Sequence, residues 1–332
     1  MADKKKAGWA KAKPEAHPKK KSRPRRFAAE AAAGSEAEAK SRAPMKRAGR
    51  EKPEHRPQAE AAGGHERPAA GHEERAAERD SVPRELPEDV LIGRNAVTEA
   101  LKSGRGINKL LVANGDREGS VREIVALARD RGILVEMVER SKIEGIAGGL
   151  RHQGVLAYVA PVPYAELEDI LAKAGALGKE PFLLLLDELE DPHNLGALLR
   201  TADAAGVDGV LIPKRRSCSL SSTVAKTSAG AVEYVPVARI GNIAQTLKEL
   251  KKRGLWVVGA DMDGSQEYYA ANLTGPLVLV IGGEGRGVSR LTRESCDFLV
   301  QLPMQGHINS LNASVAGSIL MYEVLRQRRL KK

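Results

Sequence analysis

From residue 182 onward the chain alternates between two kinds of pattern. Short apolar runs read FLLLLD (182–187), GVLIP (209–213), YVPVARI (234–240), LWVVGAD (255–261), LVLVIG (277–282) and DFLVQL (297–302). Between them lie stretches with helical spacing near 192–205, 221–230, 241–253 and 288–295, and a last one from about 312 to 329. Apolar, β-branched strands that alternate with helices predict a parallel sheet covered on both faces. Upstream the pattern is more compact. VLIGRNAVTEALKSG (90–104) predicts a short strand or turn and then a helix, and INKLLVAN (107–114) a strand. Residues 119–133 place Val121, Ile124, Val125, Leu127 and Ala128 at helical spacing. LVEMVER and QGVLAYVAP (153–161) read as two more strands, and 164–180 as a helical connector. The expected fold class is therefore α/β. A small α/β unit spans 86–162, a connector 163–180, and a parallel-sheet domain 181–332.

Residues 1–85 break this pattern. They hold almost no Leu, Ile or Val and are rich in Ala, Lys, Arg, Glu, Pro and Gly. Such a segment has too little apolar surface to offset the entropy of ordering, so the sequence predicts disorder. Residues 1–80 carry 21 Lys+Arg and 13 Asp+Glu, which is +8 of the chain's net +10. That basic stretch suits loose binding to phosphate backbones, or serves as a solubilising tail. Its acidic residues and prolines argue against a transit peptide, and MADKKKAGWAKAK lacks the apolar segment of a secretory signal. No run approaches the roughly 20 apolar residues of a membrane span. Two cysteines, Cys218 and Cys296, form neither a disulfide framework nor a metal cluster, so a reducing cytoplasm and no metal are expected.

Three loops at the carboxyl ends of the later strands are unusual, and such loops are where ligands bind in parallel sheets. In DELEDPHNLGALLRTADAAG (187–206), Asp191-Pro192 marks a helix start. Gly196 in the first turn costs about 1 kcal/mol against Ala, which implies close approach of a backbone or a ligand. Arg200 follows four residues on, on the same face, and Asn194 lies near the helix entrance. The plain alternative is a capped helix with one exposed Arg. In LVLVIGGEGRGVSRLT (277–292), a buried strand runs into four glycines within six residues. The pattern is neither G-x-G-x-x-G nor a P-loop, which disfavours a dinucleotide-dependent oxidoreductase. Glu284 in that turn suits a cationic or hydroxyl-bearing ligand. A tight turn alone accounts for about two of the glycines. In QLPMQGHINSLNASVAG (301–317), Ser310 and Asn312 are natural N-caps, and a run of small residues opens the last helix.

NLGALLRTA (194–202), IGGEGRG (281–287) and LPMQGHINSLNASVA (302–316) together resemble the three motifs of SpoU-type RNA ribose 2′-O-methyltransferases of the SPOUT superfamily. IGRNAVTEAL (92–101) and RHQGVLA (151–157) are similar to the L30e-like substrate-binding domain of bacterial 23S rRNA guanosine 2′-O-methyltransferases. The resemblance covers roughly 87–329. Ala313 stands where many relatives have Val. The resemblance implies a deep trefoil knot that holds S-adenosylmethionine in a bent shape. Gly282, Leu302 and Leu311 would contact it, with Gly283, Glu284, Met304 and Asn312 close by. It also implies a homodimer with the last helix in the interface, and rRNA as the substrate.

In this family the motif Arg, here Arg200, is proposed to help deprotonate the ribose hydroxyl. A guanidinium stays protonated in proteins, so a fork on the adjacent phosphate and on the developing O2′ charge is the expected role. Asn194, Glu284, Ser310 and Asn312 complete the expected catalytic set: Asn194 and Asn312 orient ribose or loop, and Glu284 holds the hydroxyl or Arg200. Competing readings are a tRNA methyltransferase of the same family and a non-catalytic RNA-binding protein. If the basic tail grips phosphates, deleting residues 1–80 lowers RNA affinity and its salt dependence without moving the modified nucleotide. Salt-series binding and mapping of the modified position check this.

Overall fold

The computed structural model describes residues 86–115 and 119–331, so the expectation for residues 1–85 lies outside the described residues. A small lobe comes first. Its elements are β1 (Val90–Ile92), α1 (Arg94–Ser103), β2 (Ile107–Ala113), α2 (Ser120–Asp130), β3 (Leu134–Val138), α3 (Arg140–Ala147) and β4 (Val155–Val159). The sheet order is β1-β4-β2-β3. β4 runs antiparallel to both neighbours, and β2 and β3 are parallel. Helix α3 is not evident in the sequence. It buries only Ile143 and Ala147, which is too little apolar periodicity to announce a helix.

The large lobe holds α4 (Leu167–Ala176), β5 (Phe182–Asp187), α5 (Pro192–Ala205), β6 (Gly209–Pro213), α6 (Ser222–Thr227), β7 (Val237–Ile240), α7 (Ile243–Lys252), β8 (Trp256–Ala260), β9 (Gln266–Glu267), β10 (Leu277–Gly282), α8 (Arg290–Ser295), β11 (Phe298–Gln301) and α9 (Ala313–Leu330). Its seven strands are all parallel, in the order β7-β6-β5-β10-β8-β11-β9. β5 and β10 are neighbours and every residue of both is buried. That is why they read as unbroken apolar runs. β7 is shorter than the expected 234–240, because a 3-10 turn at Ala231–Glu233 precedes it. α6 stops at Thr227 because Ala229 and Gly230 take positive φ, 52° and 92°. No helix among the described residues is long and apolar enough to cross a membrane.

α9 is fixed at both ends. Asn312 caps it by accepting from Ser314 N at 2.9 Å and Val315 N at 3.3 Å. At the other end Arg328 donates to the carbonyls of Glu180 at 3.0 Å, Pro181 at 3.2 Å and Gly275 at 2.5 Å, where β5 and β10 begin. Its guanidinium carbon also lies 5.1 Å from the Phe182 ring centre. The small residues of α9 face α5. A Cβ on Gly317 would stand 2.6 Å from Leu198, and the Thr201 and Ser318 hydroxyls are 2.9 Å apart.

The lobes meet through buried charge. Arg105 Nη1 donates to Glu233 Oε1 at 2.8 Å, with the two side chains 7% and 6% exposed. Ser103 donates to the other Glu233 oxygen at 3.2 Å, and Arg105 Nε donates to Ala160 O at 2.7 Å. Tyr234 donates to Glu99 at 2.6 Å, which pushes its phenol up to about 12. A Cβ on Gly230 would come within 2.5 Å of the Glu99 Cβ, so α1 rests on the turn after α6. The linker is pinned as well: Ala165 N donates to Val237 O at 2.8 Å, and Tyr164 OH accepts from Leu220 N at 3.1 Å. Arg105→Ala leaves the Glu233 carboxylate buried without its cation. The expected loss is about 3–5 kcal/mol of stability, read by denaturant unfolding.

Candidate active site

The sequence-flagged residues lie on α5, on the turn after β10 and on the loop before α9. The β5–α5 loop is built by its N-cap. Asp191 accepts from His193 N at 3.0 Å and Asn194 N at 3.3 Å, with Pro192 at the first helical position. This cap orients Asn194, which is buried, and its Nδ2 donates to Glu284 Oε1 across a short hydrogen bond. The first loop and the glycine-rich turn are thereby joined side chain to side chain.

Gly196 has a different neighbour from the one its cost suggested. A Cβ there would overlap Thr227 Oγ1 at 1.9 Å and approach Ser228 N to 2.9 Å. Thr227 also donates to Pro192 O at 3.3 Å. The close approach is the chain's own α6. Arg200, four residues along, does not share that burial. It is exposed on α5 and has no hydrogen-bond or ion-pair partner among the described residues. Glu284 therefore holds Asn194, whereas the expected pairing with Arg200 does not form.

The turn after β10 uses its four glycines in two ways. A Cβ on Gly282 would lie 2.0 Å from Gly287 C, and one on Gly283 would lie 2.1 Å from Glu188 O. Gly285 and Gly287 instead supply positive φ, 78° and 62°. Asp187, only 1% exposed, fastens the turn. Its carbonyl accepts from Gly283 N at 2.8 Å and its carboxylate from Ser289 N at 2.8 Å. Sequence reading did not single out Asp187. The available signal was a carboxylate that ends an otherwise apolar strand.

The third loop runs from β11 to α9. Leu302 is partly buried against the main core and Met304 is half-buried. Leu311 is 41% exposed, and Ser310 is exposed with no side-chain hydrogen bond among the described residues. Asn312 spends its oxygen on the α9 cap, and its amide nitrogen has no partner among the described residues. Neither thiol is suited to nucleophilic work. Burial pushes Cys218 up to about 11 and Cys296 up to about 12.

The fold is a parallel α/β sheet, and these loops lie at its carboxyl edge, where ligands bind in sheets of this class. Residues 181–322 match the SpoU rRNA Methylase family, and residues 90–165 match the RNA 2′-O ribose methyltransferase substrate-binding family. The chain is 51% identical, over 72% of its own length and 96% of the relative's, to the TrmH family tRNA/rRNA methyltransferase YacO of Bacillus subtilis. It belongs to the SpoU rRNA methylase family. Its fold is similar to that of an AdoMet-bound rRNA methyltransferase from Sinorhizobium meliloti, with TM-score 0.58 and 27% identity over 71% of this chain and 86% of that one. It is also similar in fold to the SpoU methyltransferase AviRb from Streptomyces viridochromogenes, solved in complex with AdoMet. There the TM-score is 0.61, with 24% identity and coverage of 73% and 91%.

Backbone fills the space beside Gly282 and Gly283, so Gly283→Ala has to part β5 from β10. Hydrogen exchange at residues 187–190 and 283–289 should rise by tenfold or more, with the small lobe unchanged.

Proposed function

We propose that this chain is an S-adenosylmethionine-dependent enzyme that methylates a ribose 2′-hydroxyl of RNA. The Asn194–Glu284 bond carries the reading most directly. It joins two of the three motif loops and occupies one carboxylate oxygen of Glu284. The other oxygen has no partner among the described residues, and the side chain is exposed.

The surrounding residues fit an adenosyl group and a sulfonium. Leu302, Met304 and Leu311 leave apolar surface incompletely buried on the third loop. Nothing stands within 4 Å of a Cβ on Gly285 or Gly306, so both turns have open space beside them. Leu302, Met304 and Leu311 would hold S-adenosylmethionine by apolar contact, and Gly282 and Gly283 by their backbone. When bound, that molecule supplies a methyl group made electrophilic by the sulfonium charge. The chain's own residues have two tasks, placement and proton handling. The free oxygen of Glu284 accepts the hydrogen bond of the 2′-hydroxyl and takes up its proton. Arg200, exposed and unpaired among the described residues, donates to the adjacent phosphate and to the charge that develops on O2′. Ser310 and the free amide nitrogen of Asn312 supply further donors on the third loop.

The substrate we favour is a guanosine of 23S rRNA. The substrate-binding family match over 90–165 supports an RNA ligand, and the small mixed sheet with its helices supports an L30e-like lobe. A tRNA is the alternative target within the same family. The family match over 181–322 supports a trefoil knot in this lobe. A homodimer is supported by Val315, Ile319 and Tyr322. They are 48%, 37% and 52% exposed at successive helical spacings on α9. The two free cysteines accord with a cytoplasmic location.

Arg200→Ala should lower methyl transfer by roughly 10²–10³-fold while S-adenosylmethionine affinity stays within about twofold. A tritiated-methyl assay on ribosomal and transfer RNA, with calorimetry alongside, checks both. Unchanged turnover removes Arg200 from the chemistry. Absence of transfer by the unmodified protein to either RNA removes the reading itself.

A further inference from the structure

Three consecutive cations, Lys214, Arg215 and Arg216, follow the last residue of β6, and all three are exposed. The segment that carries them is built, not loose. Lys214 N donates to Ile240 O at 2.9 Å, and Ser217 Oγ donates to Pro213 O at 2.5 Å, which closes the turn. Cys218 N donates to Leu189 O at 3.0 Å, so the turn is stitched to the β5–α5 loop. Arg216 Nη1 then donates to Glu188 Oε1 at 2.8 Å.

Both members of that pair stand in the left-handed region, Arg216 at φ 54° and Glu188 at φ 59°. Side-chain-bearing residues rarely adopt this conformation, and it clusters where a loop is held for a purpose. Stability of the turn does not explain its neighbours. Lys214 and Arg215 have no ion-pair or side-chain hydrogen-bond partner among the described residues, yet they stand side by side on the ordered turn.

The position matters. β6 lies beside β5, and β5 beside β10, so two strand spacings of about 5 Å each separate the cations from the glycine-rich turn. The Glu188 carbonyl, which Gly283 sits against, links the two directly. An RNA strand with its ribose at Glu284 that runs toward β6 would bring a neighbouring phosphate near these cations.

We propose that Lys214 and Arg215 form a preorganised grip for the phosphodiester backbone of the RNA strand, held in shape by the Arg216–Glu188 pair. This assignment rests on RNA as the substrate, and it adds residues outside the three motifs. Each cation neutralises one phosphate. Glu188 serves as a positioning residue, although its own charge opposes RNA.

The test uses the full chain and a fluorescein-labelled single-stranded RNA of mixed sequence, with anisotropy read across a salt series. The basic tail is common to all variants, so differences report the turn. The double variant Lys214→Ala, Arg215→Ala should reduce the slope of log affinity against log salt by about 1.4, roughly 0.7 for each phosphate on a single strand. The swap Lys214→Arg, Arg215→Lys should keep the wild-type slope. Glu188→Ala removes a negative charge, so simple electrostatics predicts tighter binding. The grip predicts at least threefold weaker binding, because the turn loses its anchor. Unfolding followed by circular dichroism confirms that each variant is folded. An unchanged slope in the double variant, or tighter RNA binding by Glu188→Ala, overturns the proposal. RNA binding with the expected slopes but no methyl transfer would leave the grip standing and overturn the enzymatic reading instead.

Discussion

Where β5 and β10 end, backbone crowds so closely that two positions have no room for a side chain. Gly282 lies against the backbone of Gly287, and Gly283 lies against the carbonyl of Glu188. Asp187 makes this contact specific, because its carbonyl and carboxylate take N–H groups from Gly283 and Ser289. The backbone oxygen and the side chain of this buried residue are thus each hydrogen-bonded, so neither is left unpaired at the junction. Everything at the carboxyl edge is placed by reference to it. It brings Glu284 to Asn194 and fixes the Glu188 conformation that meets Arg216.

The charges of the structure fall into three groups with different physical weight. Arg105–Glu233 is almost fully enclosed, with both carboxylate oxygens of Glu233 occupied by the small lobe. Such a pair is costly to break and so fixes orientation. The turn that carries it follows α6, and the end of α6 packs on the start of α5 through Thr227 and Gly196. The small lobe is thus only one short helix removed from Asn194. Arg253–Glu168 and Arg290–Glu294, by contrast, are exposed on the surface and add little. Arg200, Lys214 and Arg215 form a third kind: exposed, and unpaired among the described residues, they remain available to an anionic partner.

Much of the architecture was legible because the apolar pattern is strong. The runs at 182–187, 209–213 and 277–282 coincide with β5, β6 and β10 residue for residue, since buried parallel strands need apolar side chains on both faces. Signals weakened where local geometry overruled pattern. α3 buries two residues and β9 has two residues in all, so neither has a period to detect. The left-handed residues 229 and 230 cut α6 short within a stretch that reads as continuous helix. Of the candidate site, the loops and most of their polar residues were visible as oddities, such as glycine excess and an amide at a helix entrance. Asp187 and Glu188 were not, because a carboxylate at a strand end looks like ordinary termination.

The alternation of strand and helix, the α/β class, and the loops that depart from plain connection are all written in the order of residues. Those features are local: periodicity, capping and glycine content are properties of neighbouring residues. The tertiary structure decided who meets whom. Gly196 was costly because α6 crosses it, and Glu284 turned to Asn194 while Arg200 stayed free. Lys214 and Arg215 stand beside the site only because β6 pairs with β5. Contacts between residues 90 or 100 apart depend on strand order and on the last few tenths of an ångström of packing, and no window of sequence contains either.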